Sequence, residues 1–115
     1  MSQLAHSEFG KLKTVFLKKA SAAFINEEHI QQYWESLNYL GKPDMTQALG
    51  EYDSFENILK EHGAEVLYFP TDASVNMDSI YCRDAAIATS HGMIICNMGK
   101  DGRKKEPAAQ ARAYA

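Results

Sequence analysis

Residues 76–89 read Asn-Met-Asp-Ser-Ile-Tyr-Cys-Arg-Asp-Ala-Ala-Ile-Ala-Thr, and they decide the fold because they carry two carboxylates and an arginine into an apolar run. Strand alternation puts Ile80, Cys82, Ala86 and Ala88 in one set and Tyr81, Ile87 and Thr89 in the other. That pattern predicts a strand with both faces at least half buried. Asp78, Arg83 and Asp84 then sit where the fold begins to exclude water, and charge at such a place must be paired or neutralised. Two readings stand. Either the strand entrance is a site, or Arg83 forms an ion pair with Asp78 or Asp84 that ties down a turn.

Outward from this stretch, Ser90, His91 and Gly92 predict a tight turn, so Met93–Cys96 should return antiparallel as a hairpin. Upstream, Leu12–Leu17 is short, apolar and β-branched, and reads as a first strand. Lys18–Ala23 reads as a loop of small residues. A helix is expected from Asn26 to Leu37, capped by Asn26 and with Glu27 and Glu28 in the first turn, where the helix dipole favours them; Trp34 is its anchor. Gly41, Pro43 and Asp44 interrupt the pattern and start a longer helix with the stripe Ala48, Leu49, Tyr52, Phe55, Ile58 and Leu59, closed by Gly63. Glu65–Phe69 is the next strand, ended by Pro70, and Thr71–Asn76 is a polar loop.

Asn97–Lys105 is a glycine-rich basic loop, but the spacing of a phosphate-binding loop is absent. Pro107 suits the first turn of a last helix rich in alanine. That helix has no residue of the kind that ends helices before the sequence stops. The expectation is therefore the front part of something larger, with sheet faces and an edge strand left uncovered.

At 115 residues, 45% of them apolar and 23% charged, the chain falls in the range of one soluble domain, 1–115. A net charge of −3 provides no basic field for nucleic acid or an anionic membrane. No apolar stretch is long enough to span a bilayer. The first nine residues lack the basic and apolar regions of a signal peptide, so the cytoplasm is the expected location. Cys82 and Cys96 have neither metal-knuckle spacing nor scaffold density and read as small core residues. No metal or cofactor is implied.

The run Tyr39-Leu40-Gly41-Lys42-Pro43-Asp44, then Pro70, then Asp78-Ser79-Ile80-Tyr81 with Arg83-Asp84, then Asn97-Met98-Gly99-Lys100 through Arg103 to Glu106-Pro107-Ala108-Ala109, resembles the N-terminal part of the guanidino-group modifying enzymes. These include the dimethylarginine dimethylaminohydrolases, the arginine deiminases and the amidinotransferases. Leu-Gly-Lys-Pro-Asp ahead of a long helix is most similar to the dimethylargininases. The resemblance implies an α/β propeller of five-fold pseudosymmetry, of which this chain would supply about the first two modules as a mixed sheet with helices outside.

In such enzymes a cysteine attacks the guanidinium carbon, and a histidine serves as general acid and base. Both lie further along than this chain reaches. None of His6, His29, His62 or His91, nor Cys82 or Cys96, stands in a matching context, so no catalytic residue is expected and the piece alone should be inert. Substrate recognition is what the resemblance leaves. It places Asp84 on the substrate guanidinium, Asp78 at a nearby acidic position facing the substrate, and Arg103 on the α-carboxylate. A planar, permanently charged guanidinium suits a rigid carboxylate through paired hydrogen bonds. Two acids and one base at opposite ends of a cleft would then read arginine, or a methylated arginine, from end to end.

Lys100 and Glu106 also match the family, though loop structure and helix entry account for them. Phe24 falls near a lid in relatives, at a point where this chain inserts its 26–37 helix. Dimethylargininases often carry an acid just before the guanidinium-binding aspartate, whereas Arg83 stands here, as in the deiminases and amidinotransferases. Methylated or plain arginine, and hydrolysis or amidino transfer, are therefore both open. Two readings from other classes compete: a non-catalytic domain that binds arginine-like ligands or a partner, and an interaction protein that covers its open edge by forming a homo-oligomer.

Overall fold

The computed structural model describes residues 10–115; residues 1–9, and with them His6 and the signal-peptide reading, lie outside the described residues. Strand β1 (Thr14–Leu17) leads through helices α1 (Ala20–Phe24), α2 (Glu27–Tyr33) and α3 (Met45–Glu61) to strand β2 (Glu65–Tyr68). β2 lies parallel to β1, with Thr14 opposite Glu65 and Leu17 opposite Tyr68. Strands β3 (Ala86–Thr89) and β4 (Gly92–Ile95) form the expected hairpin, and helix α4 (Glu106–Tyr114) closes the sequence.

The helix starts follow their capping residues. Asn26 accepts a hydrogen bond from the His29 amide at 2.8 Å, and Asp44 one from the Gln47 amide at 2.8 Å, each satisfying an otherwise orphaned donor. Gly63, at φ 87°, provides the left-handed residue that ends α3. In the hairpin, the Thr89 hydroxyl donates to the Gly92 carbonyl at 2.7 Å and accepts from the His91 amide at 3.2 Å.

The structure corrects several expectations. Lys18–Ala23 is not a loop: Ala20–Phe24 is helical and buries Ala20, Ala23 and Phe24. Three alanines and a serine offered no apolar stripe, yet their small size lets α1 pack closely against its neighbours. Phe24, expected near a lid, is only 6% exposed and belongs to the core. Helix α2 stops at Tyr33, and the 34–38 segment turns away through Asn38 at φ 67°.

The most consequential correction falls on residues 77–84. They are not a strand entrance but two successive 3-10 turns, Met77–Ile80 and Cys82–Asp84, with β3 starting only at Ala86. Asn76 causes the first turn by accepting the Asp78 amide at 2.8 Å, a local bond that competes with extended structure. The coil separates the strands into two two-stranded sheets rather than the single mixed sheet expected. β3 is also less covered than alternation implied, with Ile87 55% exposed.

Burial concentrates in one place. Ala20, Ala23, Phe24, Ile30, Leu37 and Met77 form the core, joined by half-buried Trp34, Tyr39, Leu49 and Tyr52. Met77, with no exposed surface, plugs the acid-bearing turn into this core. A second contact holds α4 to the parallel strands: Phe16 stacks on Phe69 at 4.8 Å, and Tyr114 meets their edges at 5.2 and 5.6 Å. Two of the six residues of the α3 stripe are left open, Phe55 and Ile58, 46% and 55% exposed. Among the described residues, no helix is long and apolar enough to cross a membrane, and no group of acids, histidines and cysteines could hold a metal.

Candidate guanidinium site

The two 3-10 turns place both predicted acids on short, tightly bonded backbone. Asp78, 3% exposed, follows Met77 in the first turn, and Asp84 ends the second with its side chain 43% exposed. Cross-links from later in the chain fix the turns. Asn76 donates to the Gly102 carbonyl at 2.7 Å, and Gln110 to the Cys82 carbonyl at 2.9 Å.

Arg103 is the centre of this corner. Its Nη1 and Nη2 donate to the two oxygens of Asp84 at 3.0 and 2.9 Å, a paired fork. Its Nε and Nη2 donate to both oxygens of buried Glu106 at 2.8 Å, and Nη2 also reaches the Tyr81 carbonyl at 2.8 Å. The hydrogen bonds to Glu106, then those to Asp84, keep the guanidinium charged well above the usual arginine range. Partial burial alone would raise the Asp84 pKa, but the Arg103 fork outweighs it and holds the carboxyl below its ordinary value.

Asp78 is paired as well. The Lys100 ammonium approaches its Oδ2 at 2.6 Å, from a direction outside good hydrogen-bond geometry, and donates to the Leu37 carbonyl at 2.7 Å. One lysine thus ties three segments together. Beside Asp78, the Tyr39 phenol is held protonated far above its usual range, first by burial and then by the neighbouring carboxylate.

The three predicted residues therefore do not bracket a cleft. Arg103 is in direct contact with Asp84, whereas a bound arginine separates its guanidinium from its carboxylate by the length of its methylene chain. The two acids line different hollows that share Tyr81: Asp84 one of about 280 Å³ with Leu17, Tyr52 and Phe55, and Asp78 one of about 300 Å³ with Leu37, Tyr39 and Lys100. Arg83, the partner expected from proximity, forms an ion pair with neither acid among the described residues. Lys100 and Glu106, set aside in the sequence, are the side chains that complete the corner. The three-residue spacing of Arg103 and Glu106 at a helix start was the available signal for one of them.

Asp84 still has unspent capacity. Each oxygen takes one bond from Arg103, while a carboxylate offers about four acceptor positions in all, so its exposed edge can receive a second planar cation.

A family model described as eukaryotic N,N dimethylarginine dimethylhydrolase matches residues 15–112. The chain belongs to this family. The match takes in both acid-bearing turns and every strand and helix, short only of the first residue of β1 and the last two of α4. Curated relatives include the arginine deiminase of Staphylococcus epidermidis, 33% identical over 82 residues, covering 71% of this chain and 20% of the relative. The arginine deiminase of Streptococcus equi subsp. zooepidemicus is 34% identical over 82 residues, with the same two shares. The chain thus spans about a fifth of the length of the curated relatives it matches. No solved structure matches.

Proposed function

We propose that this chain is the N-terminal substrate-binding unit of an amidine hydrolase acting on arginine or a methylated arginine, built as the opening modules of an α/β propeller. The observation that carries the reading is the exposed edge of Asp84, a carboxylate oriented by the Arg103 fork and walled by Leu17, Tyr52 and Phe55. A substrate guanidinium lies on that edge through two parallel N–H bonds, its aliphatic chain against the apolar wall. Asp78 stands in the adjoining hollow as the second acid. Arg103 positions Asp84, and only a rearrangement that released it would bring it to a substrate carboxylate. Holding the guanidinium against a carboxylate keeps it cationic and its carbon electrophilic. The bond-breaking cysteine and histidine are assigned to other residues of the enzyme, and amidino transfer in place of hydrolysis uses the same recognition.

Calorimetric titration of the 115-residue chain with L-arginine and with N,N-dimethylarginine tests this. Binding of at least one, weakened about 100-fold or more in Asp84→Asn, is the expected result, given that a bond to a charged group contributes about 1.5–3 kcal/mol and two are lost. Binding of neither ligand removes the reading.

A second reading is favoured by the internal pairing itself: Asp84 with Arg103 and Asp78 with Lys100 act as structural ties, and the domain serves as an interaction module. It predicts that Asp84→Asn lowers stability without any arginine binding to lose.

A further inference from the structure

We infer that the fold binds one buried water molecule between Lys18, Ser79 and Glu106, and that this water pins the first acid-bearing turn to the end of β1 and the start of α4. Its cavity shares no lining residue with either acid-lined hollow, so the inference is independent of the substrate reading.

Lys18 carries a charge that the fold leaves without an ion pair. It follows the last residue of β1 and is only 3% exposed. Its ammonium donates to the Pro70 carbonyl at 2.6 Å and makes no other bond among the described residues. An ammonium has three N–H bonds, and burying one without acceptors is costly. Desolvation accordingly lowers the Lys18 pKa, while the fields of Asp72 and Glu106 oppose that shift and favour the charged form. Ser79 poses the complementary problem. It lies beside Asp78 in the first 3-10 turn, and its buried hydroxyl has no hydrogen-bond partner among the described residues.

Both groups line one cavity of about 20 Å³, together with Phe69, Asp72, Glu106 and Gln110. Space of roughly 10–15 Å³ for its centre is enough to hold one water, and a larger ligand does not fit. The charges of the wall select the occupant. An anion would suit Lys18 but would face two carboxylates. A cation would suit the carboxylates but would face Lys18, and both acids already have partners: Asp72 has Arg112 at 2.7 Å and Glu106 has Arg103 at 2.8 Å. A neutral molecule that both accepts and donates fits. Water accepts an N–H bond from Lys18, exchanges one with the Ser79 hydroxyl and donates to Glu106, whose two oxygens each take one bond from Arg103 and keep an acceptor position. Three partners is the usual number for a buried water. Because Ser79 adjoins Asp78, the placement of that carboxylate then depends on a solvent molecule as well as on Lys100.

A high-resolution crystal structure of the 115-residue chain, from crystals soaked in sodium bromide, tests this directly. The expected result is one ordered water within hydrogen-bond distance of Lys18 Nζ, Ser79 Oγ and the Glu106 carboxylate, with no anomalous bromide peak there. An empty cavity, a bromide peak, or a water that touches Lys18 but not Ser79 overturns the inference. Ser79→Ala gives a second test in solution, by urea unfolding. Removing a hydroxyl bonded to a buried water should raise the unfolding constant about fivefold, whereas removing a partnerless one relieves a penalty and lowers it. An unchanged or lower constant overturns the inference, and if the variant does not fold, the wild-type crystal structure decides.

Discussion

The residues before Asn76 and those after it are held by different forces. The earlier part, two parallel strands and three helices, depends on apolar packing around Ile30, Phe24 and Leu37, with a few polar ties beside the caps, Lys18 to the Pro70 carbonyl and Tyr68 to Glu56. The later part has a hairpin with Ile87 and Ile94 more than half exposed, and much of what it buries is polar: Asp78, Ser79, Glu106 and Gln110. It is fastened by polar bonds, most of them long-range: Asn76 to the Gly102 carbonyl, Lys100 to the Leu37 carbonyl, Gln110 to the Cys82 carbonyl, and Arg103 to Tyr81, Asp84 and, locally, Glu106. Packing specifies where the scaffold lies. Directional bonds specify where two carboxylates lie, a finer task that hydrophobic contact, being non-directional, performs poorly.

This contrast can be broken at its strongest point. Arg103→Met leaves Glu106, 2% exposed, as an uncompensated buried acid, and urea unfolding should show a loss of about 4 kcal/mol. Were the loss under about 1 kcal/mol, the polar corner would not be holding the later part together. Met77→Ala empties a fully buried site at the junction and should cost about 3 kcal/mol in the same measurement. Asn76→Ala removes both the Asp78 cap and the bond to Gly102, with an expected loss of about 1–2 kcal/mol. A value near zero would shift the origin of the first 3-10 turn elsewhere.

Acid sharpens the comparison further. The Asp84 pKa is depressed in the folded protein, so the folded state binds that proton less tightly than the unfolded chain. Its contribution is therefore complete above the unfolded value of about 4 and is lost as the pH falls through the folded one. Asp72 behaves alike, depressed by its bonds to Ser74 and then by Arg112. Denaturation followed between pH 5 and 2 should show a steep acid limb, less steep in Asp84→Asn; an unchanged limb contradicts the assignment. The smallest effect is expected at Ile25, whose φ of 68° and ψ of −70° form a tight turn closed by the Asn26 amide on the Phe24 carbonyl at 2.8 Å. This is a strained conformation for a β-branched residue. Ile25→Gly should raise stability by about 0.5–1 kcal/mol once glycine's entropy cost is deducted. A decrease would mean that the lost side-chain contacts outweigh the strain.

Legibility in the sequence followed the same division. Caps and periodicity are local, so Asn26, Asp44, Gly63 and the Ser90–Gly92 turn could be read directly, as could β1, β2, α3 and the hairpin. Helix α1 was hidden because small residues give no periodic contrast. The acid-bearing turns were hidden because Ile80 and Cys82 imitate strand alternation, while the side chain that bends them, Asn76, looked like ordinary loop polarity. Asp78 and Asp84 could be singled out by type and position. Their partners could not, since Lys100 and Arg103 lie far along the chain and Arg83 was the nearer cation. The family relation was legible because whole motifs keep their order, a signal independent of any contact.

The parallel pairing of Thr14 with Glu65 has a consequence for how the chain acquires its shape. No hairpin can join strands that run the same way, so β1 and β2 meet only after the entire intervening stretch has been gathered in. The helices between them form on local contacts and shorten that search, which orders events in time: coil to helix first, strand alignment last. Stopped-flow circular dichroism should therefore run ahead of the signal of a fluorescent reporter introduced at residue 114, which meets Phe16 and Phe69 only when both strands are in register.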